Sequence, residues 1–245
     1  MPDPAVISVG NRAALKAVAA SIAPVVELAN EGARSGTFIW TAGNFSSQIV
    51  VDTLEGIFIA PTADVTGASG VWVRESMPYV LPECFGAAGD GLTSNDTAAV
   101  QCALNVAAIA KLFSQRVVIS QKYLCDNLAI PAGVVLEGSN PALRDLVPGS
   151  SPYSFNSQIR LRLGATISLA RSSVIRSMAI VRDGLLASVT TDANATTITS
   201  QFAGTAITMP ERDAEAHDIL LLGHNLGINS TAANGDEGWP VIENI

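Results

Sequence analysis

The stretch "FGAAGDGLTSNDTAAVQCAL", residues 85–104, decides the fold. Glycines at 86, 89 and 91 surround Asp90, and glycine reaches backbone angles closed to other residues, so the chain turns sharply here. Directly afterwards Asn95 or Asp96 offers an N-cap, and Ala98, Ala99, Ala103 and Ala107 favour helix. Val100, Leu104 and Ala108 fall on one apolar stripe, continued by Leu112. This helix has a face to bury. Asp90 reads as a turn stabiliser that bonds nearby backbone N–H groups, not as a catalytic carboxylate.

Downstream, helical periodicity never returns for any length. "RVVIS", "KYLCDNLAI", "GVVLEG", "QIRLRL", "ATISLA", "SVIRSMAIVRD", "GTAITM" and "AHDILLLGHNLGI" are short β-branched or leucine-rich runs punctuated by Gly, Asn, Asp, Pro or Ser. Such a pattern leaves antiparallel sandwiches and barrels or a coiled parallel solenoid. Hairpin dipeptides occur only at Asp90-Gly91, Asp183-Gly184 and Asn234-Gly235, without the spacing of a meander. A parallel solenoid needs a cap on its first coil, because an open strand edge templates aggregation. The helix over 96–112 sits where that cap belongs, with the solenoid starting near Val117.

Upstream, residues 11–30 read as helical, with Asn11 as N-cap and Leu15, Val18 and Ile22 at helical spacing before Pro24. Residues 35–77 read as a small antiparallel β module built from "GTFIW", "SQIVV", "EGIFIAP" and "GVWVRE". Phe38, Trp40, Phe45, Phe58 and Trp72 are its expected core, with an aromatic sugar platform as the alternative. Pro78 and Pro82 mark an extended connector. The expected divisions are 1–34, an N-terminal helical segment; 35–77, the β module; 78–116, connector and cap helix; and 117–245, solenoid coils.

Composition narrows the function. A formal net charge of −8 with pI near 4.7 argues against nucleic acid and against anionic membranes, since both demand clustered Lys and Arg. No run reaches the roughly 18 apolar residues of a membrane-spanning helix, and no membrane insertion is expected. Cys84, Cys102 and Cys125 match neither a disulfide framework nor a zinc site, and read as buried free thiols. No metal and no cofactor are expected.

With these residues in place, the chain resembles the pectate-lyase-like right-handed β-helix proteins of bacteriophage tailspikes. Their N-terminal signature reads Phe-Gly-Ala-x-Gly-Asp-Gly-x-x-Asp-Asp-Thr-x-Ala-Ile-Gln. Phe85, Gly86, Ala87, Gly89, Asp90, Gly91, Asp96, Thr97, Ala99 and Gln101 match it, while Asn95 stands for the usual Asp and Val100 for Ile. "RVVISQKYLCDNLAIPAGVVLEGSN" is similar to the family's first coil, except that Ser120-Gln121-Lys122 replaces its Pro-x-Gly turn. Residues 30–75 resemble a small module that precedes this β-helix in tail-fibre proteins. The resemblance covers 30–138 by motif and 139–245 by strand texture. It implies a mainly β protein: a right-handed parallel β-helix capped by a short α-helix, after an N-terminal helix and a small β module. It further implies a homotrimer in the virion tail, made in the host cytoplasm. Residues 1–75 would bind phage tail, baseplate or adaptor proteins, and the β-helix would face host surface polysaccharide. Since tailspikes of this kind run through many more coils, "GWPVIENI" is expected to be followed by further sequence.

Polysaccharide-cleaving relatives use Asp/Glu pairs, because glycoside hydrolysis needs an acid and a base or nucleophile flanking one bond. The best local constellation is "PERDAEAHDI", where Asp213, Glu215 and His217 would share one face of an extended strand and Glu211 would join them. Asp213 and Glu215 are the candidate catalytic pair, weighed against a solvated turn between coils. "TTDANATTITS" reads as a loop leaving the solenoid. Two functions remain: a structural, adhesive tailspike component, or a polysaccharide depolymerase (glycosidase or lyase) with its active site mostly beyond residue 245. A free-standing pectin-active enzyme is the weaker third.

Overall fold

The computed structural model describes residues 6–75, 77–109, 115–139, 157–183, 204–224, 226–230 and 241–243. The chain opens with β1 (Val6–Val9) and α1 (Arg12–Ala17). Asn11 caps α1, its Oδ1 accepting from the Ala14 N–H at 2.9 Å. The helix expected over 11–30 ends after six residues, and Val25–Leu28 is instead strand β2. Pro24 cannot continue a helix, and β-branched Val25 and Val26 gain a pleated neighbour on each side. β2 runs parallel to β1 and antiparallel to β3 (Gly36–Ala42).

"SQIVV" also departs from expectation, for Ser46–Val51 forms the short helix α2. Asn44 Oδ1 accepts from Ser46 N at 3.0 Å, and Phe45 and Ile49, four residues apart, turn onto the core while Val50 faces solvent. One-sided burial suits a helix turn, and tertiary packing overrides the strand propensity of the valines. β4 (Phe58–Ile59) and β5 (Gly70–Arg74) complete a five-stranded sheet of order β1-β2-β3-β5-β4. A boundary at 34/35 would therefore cut through one sheet. Leu15, Val26, Leu28, Phe38, Ile59 and Trp72 fill one side of it, with Trp40 edge-on to Trp72 at 5.3 Å. These aromatics are core. On the other side Ile57, Phe58, Val71 and Val73 share a core with Cys84, Phe85 and Ala87.

A 3₁₀ turn, Pro82–Phe85, leads into the glycine run, where Gly86, Gly89 and Gly91 all take positive φ. A Cβ on Gly89 would lie 2.7 Å from Gln121 Cβ, and one on Gly91 2.5 Å from Lys122 Cβ, so glycine is required by space as well as by angle. The turn does not pass straight into the helix: Asp90–Asn95 first forms strand β6. Then comes α3 (Thr97–Ile109), which buries Ala99, Val100, Cys102, Ala103, Leu104, Val106 and Ala107. Leu112 lies outside the described residues.

Beyond α3 the strands stack in parallel ladders. The first coil is β7 (Arg116–Ile119), β8 (Lys122–Cys125) and β9 (Leu128–Ile130), followed by β10 (Val135–Gly138), β11 (Gln158–Leu161) and β12 (Ile167–Leu169). Next are β13 (Val174–Arg182) with β14 (Thr205–Met209), β15 (Glu215–Leu222) with β16 (Leu226–Ser230), and β17 (Val241–Glu243). Inward residues align coil on coil as Val117–Leu136–Ile175–Ala216, Tyr123–Ile159–Ile180–Leu221 and Leu128–Ile167–Ile207–Ile228. β13 and β15 each serve two ladders by bending at a single left-handed residue, Ser177 (φ 57°) and Asp218 (φ 49°), in matching positions.

All three ladders of the first coil are closed on their outer edge. Val80 bridges β7, donating to Arg116 O and accepting from Val118 N. β6 pairs with β8. Beside β9 a side chain takes the place of a strand: Gln101 on α3 donates Nε2 to Ala129 O at 2.8 Å and accepts from Ala129 N at 2.9 Å. Its primary amide copies the peptide that a neighbouring strand would present, which removes a pairing edge that would otherwise template aggregation.

Candidate functional site

Strand residues alternate between core and outside, so the ladder β7-β10-β13-β15 carries its outward side chains in columns along the coil axis. Arg116, Glu137, Arg176, Glu215 and His217 occupy them. Glu137 pairs across strands with Arg176, and Arg176 with His217. Glu137 is nearly buried, its carboxylate set between two guanidiniums. Arg176 donates Nε and Nη2 to Oε2 at 2.9 and 2.7 Å, and Arg116 donates Nη2 to Oε1. Burial pushes the Glu137 carboxyl up, but the bonds and charges of Arg116 and Arg176 outweigh it and hold it below the usual range. Glu137 is thus ionised and has no proton to give, which disqualifies it as a general acid.

One coil on, the Glu215 carboxylate lies 2.9 Å from His217 Nε2, both on the outward side of β15. Asp213 does not join them. Its φ of +57° places it in the turn before β15, where Oδ2 lies 3.4 Å from Arg171 Nε. Glu211 accepts from the Arg171 N–H at 2.8 Å. The extended-strand alignment of Asp213 with Glu215 and His217 is therefore wrong: a left-handed residue interrupts the alternation that it assumed. Among the described residues no group of His, Cys, Asp and Glu is arranged to hold a metal ion.

The signature residues are occupied with the fold. Asp90 accepts from the N–H groups of Thr93 and Ser94 and from both hydroxyls. Asp96 accepts from Ala88 N at 2.7 Å and Gly89 N at 3.4 Å, tying the glycine turn to the start of α3, while Asn95 Oδ1 takes the Thr97 N–H. Thr97 Oγ1 accepts from Asp126 N in the first coil. Phe85 is buried against Gly56. A groove of about 560 Å³ between α2 and α3 is lined by Val50, Val51, Ala98 and Ile109 around Cys102, whose thiol burial raises. It offers no acid or base near neutrality.

The outward column was missed in the sequence, although its signal was present. Each of "RVVIS", "GVVLEG" and "VIRSM" carries one charge inside an apolar strand, but only the register of the coils shows that the charges meet. The column is suited to binding. It holds one salt-locked carboxylate and one carboxylate–imidazole pair, not the two free carboxylates that flank a scissile glycosidic bond.

One histidine has a different part. His224 Nδ1 accepts from Arg182 Nη2 at 2.8 Å and Nε2 donates to Ile180 O at 3.3 Å, linking neighbouring coils. Burial first, then Arg182, lowers its pKa from 6.5 to about 4. The folded state thus resists a proton that the unfolded chain accepts. This stability is fully present above pH 6.5 and falls as the pH drops toward 4. Thermal midpoints measured from pH 7 to 4 should decline, and His224→Gln, whose amide oxygen accepts from Arg182 without titrating, should flatten part of that decline. Parallel profiles would refute the assignment.

No family model matches the chain. A stretch of 84 residues is 38% identical to the capsule K30/K69-specific depolymerase 1 of Klebsiella phage K5-2, covering 30% of this chain and 10% of that protein. The fold is similar to the full-length tailspike protein 2 from the Escherichia coli O157:H7 bacteriophage CAB120, with TM-score 0.57 and 14% identity over 89% of this chain and 29% of that one. The enzymatically active domain of tailspike protein 2 from bacteriophage CBA120 gives TM-score 0.52 and 14% identity over 80% of this chain and 27% of that one. The chain therefore spans a tenth of the length of the curated relative and under a third of the solved tailspikes. At such identity the structural likeness concerns the fold.

Proposed function

We infer that the chain, a phage tailspike protein by its fold and by the segment it shares with a phage depolymerase, joins a virion-attachment module to the start of a host-facing β-helix. Residues 1–75 hold the protein to the phage tail, through baseplate or adaptor proteins, and the coils from 117 begin a right-handed β-helix that contacts host surface polysaccharide. Three copies assemble side by side, since closed symmetry suits parallel solenoids. The observation that carries this reading is the order of parts: a sheet module fused through one core to a capped stack of parallel coils. The apolar interior of the module, with Leu15, Val26, Leu28, Phe38, Ile59 and Trp72 packed together, suits an adaptor.

The second reading is a depolymerase, with its catalytic carboxylates mostly outside these residues or between subunits. It is favoured by the segment shared with the capsule depolymerase. Incubation of the 245-residue chain with host capsular polysaccharide separates the two. Retention of the polysaccharide without release of reducing ends or unsaturated uronides is the expected result. Release abolished by Glu215→Ala would make this piece itself catalytic. Particles assembled with protein lacking residues 1–75 should lose the spike, and normal incorporation would end the attachment claim.

A further inference from the structure

We propose that Arg116, Glu137 and Arg176 form a subsite for the carboxylate of an acidic sugar, an assignment that rests on the polysaccharide contact proposed above. Two guanidiniums meet one carboxylate, so the cluster retains a surplus positive charge on a chain whose net charge is −8. Arg176 spends Nε and Nη2 on Glu137, and Arg116 spends Nη2, which leaves Nη1 of both without an acceptor among the described residues. Both arginine side chains are more than two-fifths exposed, at 43% and 44%, while Glu137 beneath them is 11% exposed. Glu137 therefore acts as a strut. It fixes two planar donor forks side by side and limits the entropy they lose when an anion arrives.

The surroundings fit a sugar better than a bare ion. Val135 and Val174 stand paired in the adjacent column, half-buried, and supply an apolar floor for the face of a pyranose ring. Glu215 and His217 lie one coil further, where the partly exposed Glu215 carboxylate offers acceptor atoms for hydroxyls. Coil-to-coil spacing is about 4.8 Å, close to the length of one sugar unit, so a polysaccharide lying along the axis meets the clamp and the Glu215–His217 pair with successive groups.

The test titrates the full chain with trigalacturonate, with neutral maltotriose and with acetate, at low ionic strength. Trigalacturonate should bind saturably, at least tenfold tighter than either control, and weaken as salt is raised. Arg176→Gln should cost at least tenfold, and Arg176→Lys, which keeps the charge and loses the fork, an intermediate amount. Glu211→Gln, in the turn outside the clamp, should change nothing. Should Arg176→Gln fail to fold because Glu137 loses its partner, Arg176→Lys and Arg116→Gln carry the same comparison. Equal affinity for trigalacturonate and maltotriose, equal affinity for acetate, or unchanged affinity in the arginine variants overturns the subsite. If host capsular polysaccharide still binds in that case, only the subsite falls. If it does not bind either, the proposed function falls too.

Discussion

Gly138→Ala is expected to destabilise the protein by at least about 3 kcal/mol, or to prevent folding outright, at the upper end of what overpacking costs. A Cβ at this position would lie 1.9 Å from Ser177 O, with Ser177 C and Ser157 Cβ both at 2.9 Å. The obstacle is backbone, so no rotamer change relieves it. Gly138 ends β10 where the next coil turns its left-handed corner at Ser177, and the carbonyl of that corner presses directly on it. Gly164→Ala is the control. Its φ is +84° but nothing lies within 4 Å of the added carbon, so only the angle is strained, at roughly 1–2 kcal/mol. Urea midpoints on both variants decide the matter. Equal losses would mean that the coils are not in contact at this corner.

Arg74→Ala should cost roughly 3–5 kcal/mol, because three carbonyls lose their donor together and, with two of them only partly buried, each loss falls toward the lower end of the about 1–3 kcal/mol of a buried unpaired group. Arg74 is buried on β5, where Nε donates to Gly56 O at 2.7 Å, Nη1 to Ser35 O at 2.9 Å and Nη2 to Arg34 O at 2.6 Å. Its guanidinium also sits over the Phe38 ring at 4.7 Å. The residue fastens the loops before β3 and β4 to the end of β5. Arg74→Lys should recover little, since one ammonium cannot reach three diverging carbonyls. Hydrogen exchange should accelerate around residues 34–36 and 56–58. A change below about 1 kcal/mol in equilibrium unfolding would show that water replaces the guanidinium freely.

The local sequence by itself determined the glycine turn, the cap helix and the short strands after it, whose parallel pairing the scarcity of hairpin dipeptides favoured and the register decided. Turn glycines, alanine-rich helix and short β-branched runs each state a conformation within a few residues. The same local reading misplaced 18–30 and 46–51. There, propensity was close to balanced, and the choice fell to neighbours distant in sequence: β1 and β3 drew 25–28 into a sheet, while the core under α3 turned Phe45 and Ile49 onto one helical face. The candidate site was less legible still. Asp213 and Glu215 are close in sequence yet parted by the left-handed backbone of Asp213 itself, whereas Arg116, Glu137 and Arg176 span 60 positions and touch. In a stacked solenoid, inserted residues between strands change the sequence spacing from coil to coil: Leu136 aligns with Val117 and with Ile175, intervals of 19 and 39 residues. No fixed period reveals such a column. Only the hydrogen-bonded register decides which charges share a face, and with it the electrostatics on which any contact with polysaccharide depends.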